Sequence, residues 1–256
     1  MPPSARHERR ANAGPPARHD PRDLARVRTV ANALSSVTAR WWVDHGTLLA
    51  LVREGRPFSW DDDVDLSYDD RDHALVVSAL LACKHDLAAR LLVTRRYVKI
   101  VPYAAGERVI DVAGYRPLAD GSWEKRLLRS EPTSGGSARA QFTVIRWVGR
   151  LIDSTVGVAD RLLWMRGRPP PPIDAWSVAL GGTVARLRDR FGRAQPSYVP
   201  PGHFERLDEV AWESLRLPSP GDPPGYLALR YGPDWRVPKR EWTWWDDDHT
   251  VTGASG

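Results

Sequence analysis

Acidic residues are concentrated in one short segment of the sequence. In the stretch Trp60-Asp61-Asp62-Asp63-Val64-Asp65-Leu66, four of the five residues between the apolar ends are aspartates. If residues 63–67 form a β-strand, alternate side chains point to the same face, and Asp63 lies beside Asp65. Two ionised carboxylates this close repel each other unless a cation lies between them. Because oxygen ligands favour a hard cation, we expect Asp63 and Asp65 to bind Mg²⁺ or Mn²⁺.

A glycine–threonine pair, Gly46-Thr47, precedes the acidic segment and opens the apolar run LLALVR. We predict a strand over residues 40–45 and a short helix that ends at Gly55. A glycine at such a turn lets the backbone approach a phosphate, and the helix N-terminus favours the negative charge of that phosphate. An acidic surface turn is the alternative for the aspartates, but it leaves the nearby Gly-Thr turn unexplained.

Together these motifs resemble the LicD/fukutin family of the nucleotidyltransferase superfamily. The family pattern has a GTLLG stretch, then an arginine and a PWDDDxD stretch. Here the matching residues are GTLLA at 46–50, Arg53 and WDDDVD at 60–65. Ala50 stands for the second glycine of the family and Ser59 for the usual proline, and neither change removes a candidate metal ligand.

Asp111 is the third carboxylate that the resemblance implies. It lies in VIDVAGY, similar to an Ile-Asp-Ile segment of LicD-type proteins, although the Phe-Pro that follows in the family is absent. We expect the runs 91–103 and 108–115 to form a hairpin around residues 104–106, which joins the sheet of Asp63 and Asp65. The resemblance makes Asp111 a metal ligand or the base for an acceptor hydroxyl. A strand aspartate paired with a neighbouring arginine is the alternative.

A second, shorter resemblance lies near the C-terminus. The segment GYLALRYGPDW at 225–235 is similar to a YL…YGD segment of the family, with Pro233 inserted. For Tyr231, stacking on a base and packing in the core are equally favoured. For Lys99, a phosphate contact and a solvated surface position are also equally favoured. The candidate nucleotide- and substrate-binding residues are Gly46, Thr47, Arg53, Trp60, Asp61, Lys99, Tyr231, Gly232 and Asp234.

Composition favours one sizeable folded domain. The chain has 256 residues, a hydrophobic fraction of 42%, a net charge of +5 and a single cysteine, so no internal disulfide can form. Residues 1–19 lack hydrophobic periodicity and are predicted to be a disordered basic tail rather than a secretory signal. Residues 20–256 are predicted to be one α/β (α+β) domain. Its nucleotidyltransferase-like core, at 20–117, has a small mixed sheet with flanking helices, and residues 118–256 are helical or irregular.

Three segments of the second half are predicted individually. Residues 118–140 are polar and rich in Gly and Ser, which indicates a long loop. Helical periodicity predicts amphipathic helices over 141–164 and 173–191. The first of these packs in the core or contacts a membrane surface, since it carries Arg and Trp beside an apolar face.

The resemblance implies a transferase that moves a phospho-alcohol group, of the phosphocholine or polyol phosphate type. The donor is CDP-activated and the acceptor is a hydroxyl of a glycan or lipid-linked glycan in the cell envelope. We expect a cytoplasmic protein, at the inner membrane surface if the peripheral membrane contact exists. One alternative is nucleotidyl transfer from an NTP to a small molecule or polymer. The other is a non-enzymatic, basic nucleic-acid-binding protein, but the acidic cluster would repel nucleic acid, so no specific nucleic acid is expected.

Overall fold

The computed structural model of the chain describes residues 21–104, 106–132, 192–239, 242 and 247–251. The predicted tail at 1–19 and the predicted helices at 141–164 and 173–191 lie outside the described residues. Among the residues that are described, no helix is long and apolar enough to cross a membrane.

The elements alternate between helix and strand in the first half and are mostly strands afterwards. A 3₁₀ turn, Asp70–Asp72, links β2 to α3. In chain order the helices and strands are α1 Pro21–Val37, β1 Trp41–Val43, α2 His45–Glu54, β2 Asp63–Asp69, α3 His73–Ala82, α4 Lys84–Leu87, β3 Ala89–Val93, β4 Tyr97–Pro102, β5 Val109–Pro117, β6 Trp123–Pro132, β7 Gly192–Val199, β8 Asp208–Trp212, β9 Leu215–Ser219 and α5 Pro223–Tyr231.

The main sheet is mixed and open. Its first five strands run in the order β1-β2-β5-β4-β3, and β6 and β7 extend it from the end of β5. The β2 and β5 strands are parallel neighbours, whereas β4 pairs antiparallel with both β3 and β5. The β8 and β9 strands form a separate hairpin. The predicted fold class, a mixed sheet with flanking helices, is therefore confirmed.

Alternation along β2 and β5 sends apolar side chains to the core and polar ones to the opposite face. Val64 and Leu66 on β2, and Ile110 and Val112 on β5, are buried in the hydrophobic cluster. The aspartates between them are partly exposed on the other face. Burying the apolar face of these strands thus fixes where the acidic side chains point.

The C-terminal segment packs on the sheet through aromatic rings. Phe204 stacks on Trp42 of β1 with ring centroids 4.1 Å apart, and it meets Tyr115 and Trp123 edge-on. Because Trp42, Tyr115 and Phe204 are fully buried, this cluster fastens residues around 204 to the strands that carry the acidic face.

Most local predictions in the first half agree with the structure. The predicted short helix that ends before Gly55 is present, and Gly55 has the left-handed φ of 69° expected at a helix end. A hairpin does join the 91–103 run to the 108–115 run, as β4 and β5. However, the first run is itself divided, because a turn at 94–96 separates β3 from β4.

The second half requires correction. Residues 123–132 were expected within a long loop but form β6, which pairs with β7. The described part of residues 118–256 contains four strands and one helix, so it is not mainly helical. Within the described residues, β6 and β7 lie about seventy positions apart in sequence, and local patterns do not reveal such a pairing.

Candidate functional site

Three aspartates from two neighbouring strands lie on one face of the sheet. Asp63 and Asp65 are two residues apart on β2, and Asp65 is directly opposite Asp111 of β5 in the parallel register. Lys99 of β4 is in turn opposite Asp111. The structure thus brings together the three carboxylates that the sequence suggested, although Asp111 lies far from the other two along the chain.

The loop before β2 adds further carboxylates and is held in place by Arg108. Oxygens of Asp61, Asp62 and Asp63 lie within 4.8 Å of one another. Arg108 donates from Nε to the Asp61 carbonyl at 3.0 Å and from Nη2 to the Phe58 carbonyl at 2.9 Å. Its guanidinium also pairs with the buried Asp23 of α1 at 3.3 Å. These contacts of the Arg108 guanidinium fix the path of the loop relative to the sheet.

The crowding of these carboxylates disfavours their ionised forms. Burial, followed by the nearby charges of Asp61 and Asp111, raises the pKa of Asp63 to about 7. Burial and the charge of Asp63 raise the pKa of Asp65 well above its ordinary value. A bound cation would reverse this penalty, since it stabilises the ionised carboxylates.

Helix α2 begins beside the acidic face. Thr47 is buried, and its hydroxyl accepts a hydrogen bond from the Asp65 backbone N–H at 2.8 Å. A Cβ on Gly46 would lie 3.2 Å from Asp61 Oδ2 and 3.8 Å from Asp65 Oδ2. Gly46 therefore leaves room for these two carboxylates, while Thr47 ties the helix to the strand.

Asp111 is shared with two neighbours on β4. Lys99 Nζ lies 3.3 Å from Asp111 Oδ1 and donates a hydrogen bond to Asp111 Oδ2 at 3.4 Å. Tyr97 is hydrogen-bonded to Asp111, and burial followed by the charge of Asp111 raises the pKa of Tyr97. The ion pair forms with a lysine rather than an arginine, and it leaves Asp111 on the same face as Asp65.

Arg53 and Trp60 belong to a stack beside the acidic loop. The Phe58 and Trp60 rings are nearly parallel with centroids 4.7 Å apart, and the Arg53 guanidinium lies 4.6 Å from the Phe58 centroid. Trp60 is 51% exposed, which leaves much of the ring open to solvent next to Asp61. Arg53 also pairs with Glu54 at 3.2 Å.

The C-terminal candidates are placed less closely around the acidic face. Tyr231 is buried and packs against Trp242 at 4.9 Å, so it is a core residue near the site rather than an open stacking platform. Gly232 has a φ of 87° and ends α5. Asp234 is exposed and lies 3.7 Å from Lys239.

A comparison with protein families finds one match in the first half of the chain. Residues 38–105 match the family model described as LicD/FKTN/FKRP, nucleotidyltransferase domain. This part of the chain is similar to the LicD family. The matched residues span β1 to β4, including Gly46, Asp63 and Asp65, whereas Asp111 lies beyond them. No curated protein matches the chain. The family is of the phosphotransferase type, which indicates a transferase.

A buried polar network next to the acidic face was not predicted from the sequence. Asp44, at the start of α2, accepts hydrogen bonds from the His45 N–H, the Ser67 hydroxyl and the Tyr226 hydroxyl. Arg230 of α5 is fully buried, pairs with Asp248, and donates to the Tyr115 and Tyr226 hydroxyls. Burial opposes the ionisation of Asp44, whereas the positive charge of Arg230 and the hydrogen bond from Tyr226 favour it, and the pKa of Asp44 lies well below its ordinary value.

Lys125 joins this network from β6. Its Nζ lies 2.6 Å from His45 Nε2, 3.7 Å from Asp44 Oδ2 and 5.1 Å from the centre of the Tyr115 ring. The rarity of lysine is the one sequence feature that distinguishes this residue, since Lys125 is one of four lysines in a chain rich in arginine. It was missed because residues 118–140 were assigned to a loop.

The donor set around the acidic face fits a divalent cation. Among the described residues, the acidic group compact enough to hold an ion is Asp61, Asp62 and Asp63, and Asp65 and Asp111 share its sheet face through the strand register. All of these donors are carboxylate oxygens, with no sulfur or imidazole among them. The raised pKa of Asp63 shows that its negative charge is not balanced by the protein alone. Oxygen donors of this kind suit Mg²⁺ or Mn²⁺ better than zinc or copper.

Proposed function

We propose that this protein is a metal-dependent transferase that moves a phospho-alcohol group from a CDP-activated donor to a hydroxyl of a glycan or lipid-linked glycan. The observation that carries the proposal is the convergence of Asp63, Asp65 and Asp111 on one sheet face beside the start of α2. The family match supports the transferase class, and the LicD/fukutin resemblance supplies the donor and acceptor classes.

In this proposal Asp63, Asp65 and Asp111 hold Mg²⁺ or Mn²⁺, which would neutralise charge on the diphosphate of the donor. Gly46 gives the phosphates access to the backbone at the start of α2, and the helix end favours their charge. Lys99, which already reaches Asp111, lies where it can contact a phosphate oxygen. Catalysis of this kind depends mainly on positioning and charge stabilisation.

Trp60 is proposed to contact the cytidine of the donor. Its ring is half exposed, is held flat against Phe58, and adjoins the acidic loop. Stacking of a base on an aromatic ring contributes about 1–3 kcal/mol. Tyr231, Gly232 and Asp234 remain candidates for the acceptor side, with Tyr231 acting as a packed support.

A panel of CDP-linked alcohols, with Mg²⁺ or Mn²⁺ and a lipid-linked glycan acceptor, tests the proposal through the release of CMP. CMP release that requires both metal and acceptor supports it. Release of pyrophosphate from an NTP, with no CMP from any CDP-alcohol, would instead assign nucleotidyl transfer. The same assay with inactivated Asp65→Asn protein corrects for background hydrolysis.

A further inference from the structure

The ring of His45 lies between two basic side chains. Its Nδ1 is 3.1 Å from Arg230 Nη1, and its Nε2 is 2.6 Å from Lys125 Nζ. A guanidinium donates hydrogen bonds but cannot accept them, and it stays charged in proteins. Nδ1 must therefore be the acceptor in the contact with Arg230.

This assignment determines the proton on the other ring nitrogen. A neutral imidazole that accepts at Nδ1 carries its hydrogen on Nε2. A protonated imidazole would have hydrogens on both nitrogens, and the contact with Arg230 would then join two donors. Burial and the charge of Arg230 also hold the pKa of His45 well below its ordinary value, which disfavours the protonated ring. Nε2–H therefore lies between two neighbours, Lys125 Nζ at 2.6 Å and Asp44 Oδ2 at 3.4 Å, and the shorter contact is the one with Lys125.

An ammonium at Lys125 would also place two donors against each other, because it has three N–H groups and no lone pair. The contact at 2.6 Å is a short hydrogen bond, rather than a clash of two donors, when Lys125 is an uncharged amine that accepts from Nε2–H. Asp44, the nearest carboxylate, is 3.7 Å away and already accepts from a backbone N–H and two hydroxyls. It therefore offers the ammonium a weak alternative.

The groups around Lys125 shift its pKa in opposite directions. The titratable and charged groups that face it are Asp44 and His45 at the start of α2, Asp65 on β2, Asp111 and Tyr115 on β5, and Arg230 on α5. Burial and Arg230 disfavour the ammonium, and the three aspartates favour it. The balance lowers the pKa of Lys125. A cation bound by Asp65 and Asp111 would weaken the effect of these two aspartates on the pKa of Lys125.

The other candidate bases at the site are already occupied. Asp63 and Asp65 are assigned to the metal, and Asp111 is paired with Lys99 and hydrogen-bonded to Tyr97. We propose that Lys125, kept uncharged by the Arg230–His45 contact, is the base that accepts the proton of the acceptor hydroxyl. This inference rests on the proposed function and replaces Asp111 in that role, which leaves Asp111 as a metal ligand.

The proposed step is a displacement at one phosphorus of the donor. The hydroxyl oxygen of the acceptor forms a bond to the phosphorus that carries the alcohol, and the bond from that phosphorus to the bridging oxygen of the diphosphate breaks. CMP leaves with the electron pair of the broken bond. The single lone pair of Lys125 Nζ leaves His45 Nε2–H and takes the hydroxyl proton, so that Lys125 becomes an ammonium and later returns the proton to water. Lys125 then accepts again from His45 Nε2–H.

The charge state of Lys125 can be measured without any substrate. Protein labelled with ¹³C-lysine gives signals for four residues, Lys84, Lys99, Lys125 and Lys239, and single Lys→Arg variants assign them. We expect the Cε signal of Lys125 to titrate at a lower pH than the other three signals, because burial and the charge of Arg230 lower its pKa. Titration of Lys125 together with the others would overturn the proposal.

The role of His45 is tested by the same titration. His45 has a φ of 44°, a left-handed conformation that asparagine tolerates, so His45→Asn removes the ring and preserves the backbone. We expect the Lys125 titration to move toward that of the other lysines in this variant. An unchanged titration would show that His45 does not hold the amine uncharged.

Activity then separates a base from a fixed positive charge. We expect Lys125→Arg, which keeps the charge but cannot become neutral at assay pH, to lower CMP release with CDP-alcohol and acceptor by about 10²–10⁴-fold. Ethylamine should restore part of the activity of Lys125→Ala, with a rate that depends on amine basicity. Lys239→Arg is the matched control. Full activity of Lys125→Arg would overturn the proposal.

Failure of the proposed function gives a different result. If the wild-type protein releases no CMP from any donor, the transferase assignment is wrong and the base has no acceptor. The lysine titration still decides whether Lys125 is uncharged, because it uses neither donor nor acceptor.

Discussion

Asp63 and Asp65 face two conflicting requirements. Binding a cation requires both carboxylates to be ionised, but their burial and mutual repulsion favour the protonated forms in the metal-free protein. Groups whose pKa is strongly shifted by burial and by a defined charged partner are typical of functional sites. If the site binds the proposed cation, it gives up some stability of the metal-free fold for affinity toward that cation, as functional sites commonly do.

Asp63→Asn and Asp65→Asn are expected to separate activity from stability. Each removes a metal ligand, so CMP release should fall by more than the 10–100-fold typical of losing a group that merely supports a ligand. In EDTA the melting temperature should stay the same or rise, because like-charge repulsion is relieved. The exposed Asp86→Asn is the control and should change neither quantity. Retention of full metal-dependent activity in Asp65→Asn would remove that residue from the site.

The pH dependence of stability follows from the pKa of Asp63. Its folded-state value of about 7 lies above the unfolded value of about 3.9, so the folded protein binds the proton more tightly. This contribution to stability is complete below pH 4 and is lost as the pH rises through 7, with Asp65 acting in the same direction. Each unit of pKa difference corresponds to about 1.4 kcal/mol.

Metal-free protein should therefore show a falling free energy of unfolding between pH 5 and pH 8, measured by urea titration in EDTA. Mn²⁺ should reverse the fall, since ionised ligands bind it best at the higher pH. Asp63→Asn should flatten the profile of the metal-free protein. Because the lowered pKa of His45 contributes in the opposite direction, the test is the difference between the two proteins: a wild-type profile that does not fall relative to that of Asp63→Asn would contradict the assigned direction.

Helix α2 links the phosphate-accessible turn to the acidic strand, and its two glycines serve different purposes. A side chain on Gly46 meets the carboxylates of Asp61 and Asp65, whereas Gly55 has open space around it but a φ of 69°. The first position is restricted by the site and the second by the backbone.

Gly46→Ala and Gly55→Ala should consequently give opposite results. At Gly46 the helix interior favours alanine by up to about 1 kcal/mol, but the added Cβ crowds the acidic face, so activity should fall while stability is maintained. At Gly55 the left-handed backbone disfavours alanine, so stability should fall by about 1 kcal/mol and the activity of the folded protein should persist. Urea unfolding and CMP release measure the two effects. Equal losses of activity would contradict this distinction.

The elements that the sequence predicted are those encoded by local patterns. Alternation in Val64, Leu66, Ile110 and Val112 revealed β2 and β5, and the glycine signal marked the end of α2. Strand β6 was missed because its partner, β7, is distant in the chain and contains Gly192 and Pro196. Lys125 was missed with it. The position of Asp111 next to Asp65 could be proposed only by resemblance, because the parallel register depends on the whole sheet.

At the scale of the whole molecule, the C-terminal segment is part of the site's foundation. Arg230 and Asp248 form a fully buried ion pair, and Arg230 also contacts His45 and Tyr115. Asp248 accepts hydrogen bonds from the backbone N–H and hydroxyl of Thr250, and the Thr250 hydroxyl meets Ser197 of β7 at 2.6 Å. Residues beyond the family match thus connect helix α5, strand β7 and the start of α2.

Removing one member of this pair should be costly. Asp248→Asn leaves the guanidinium of Arg230 buried without its counter-charge, which typically costs about 3–5 kcal/mol. The exposed pair of Asp234 and Lys239, at 3.7 Å, is the matched control, and Asp234→Asn should change the free energy of unfolding by about 1 kcal/mol or less. Urea unfolding at constant pH and ionic strength measures both. Similar small losses in the two variants would show that the C-terminal segment does not stabilise the fold through this pair.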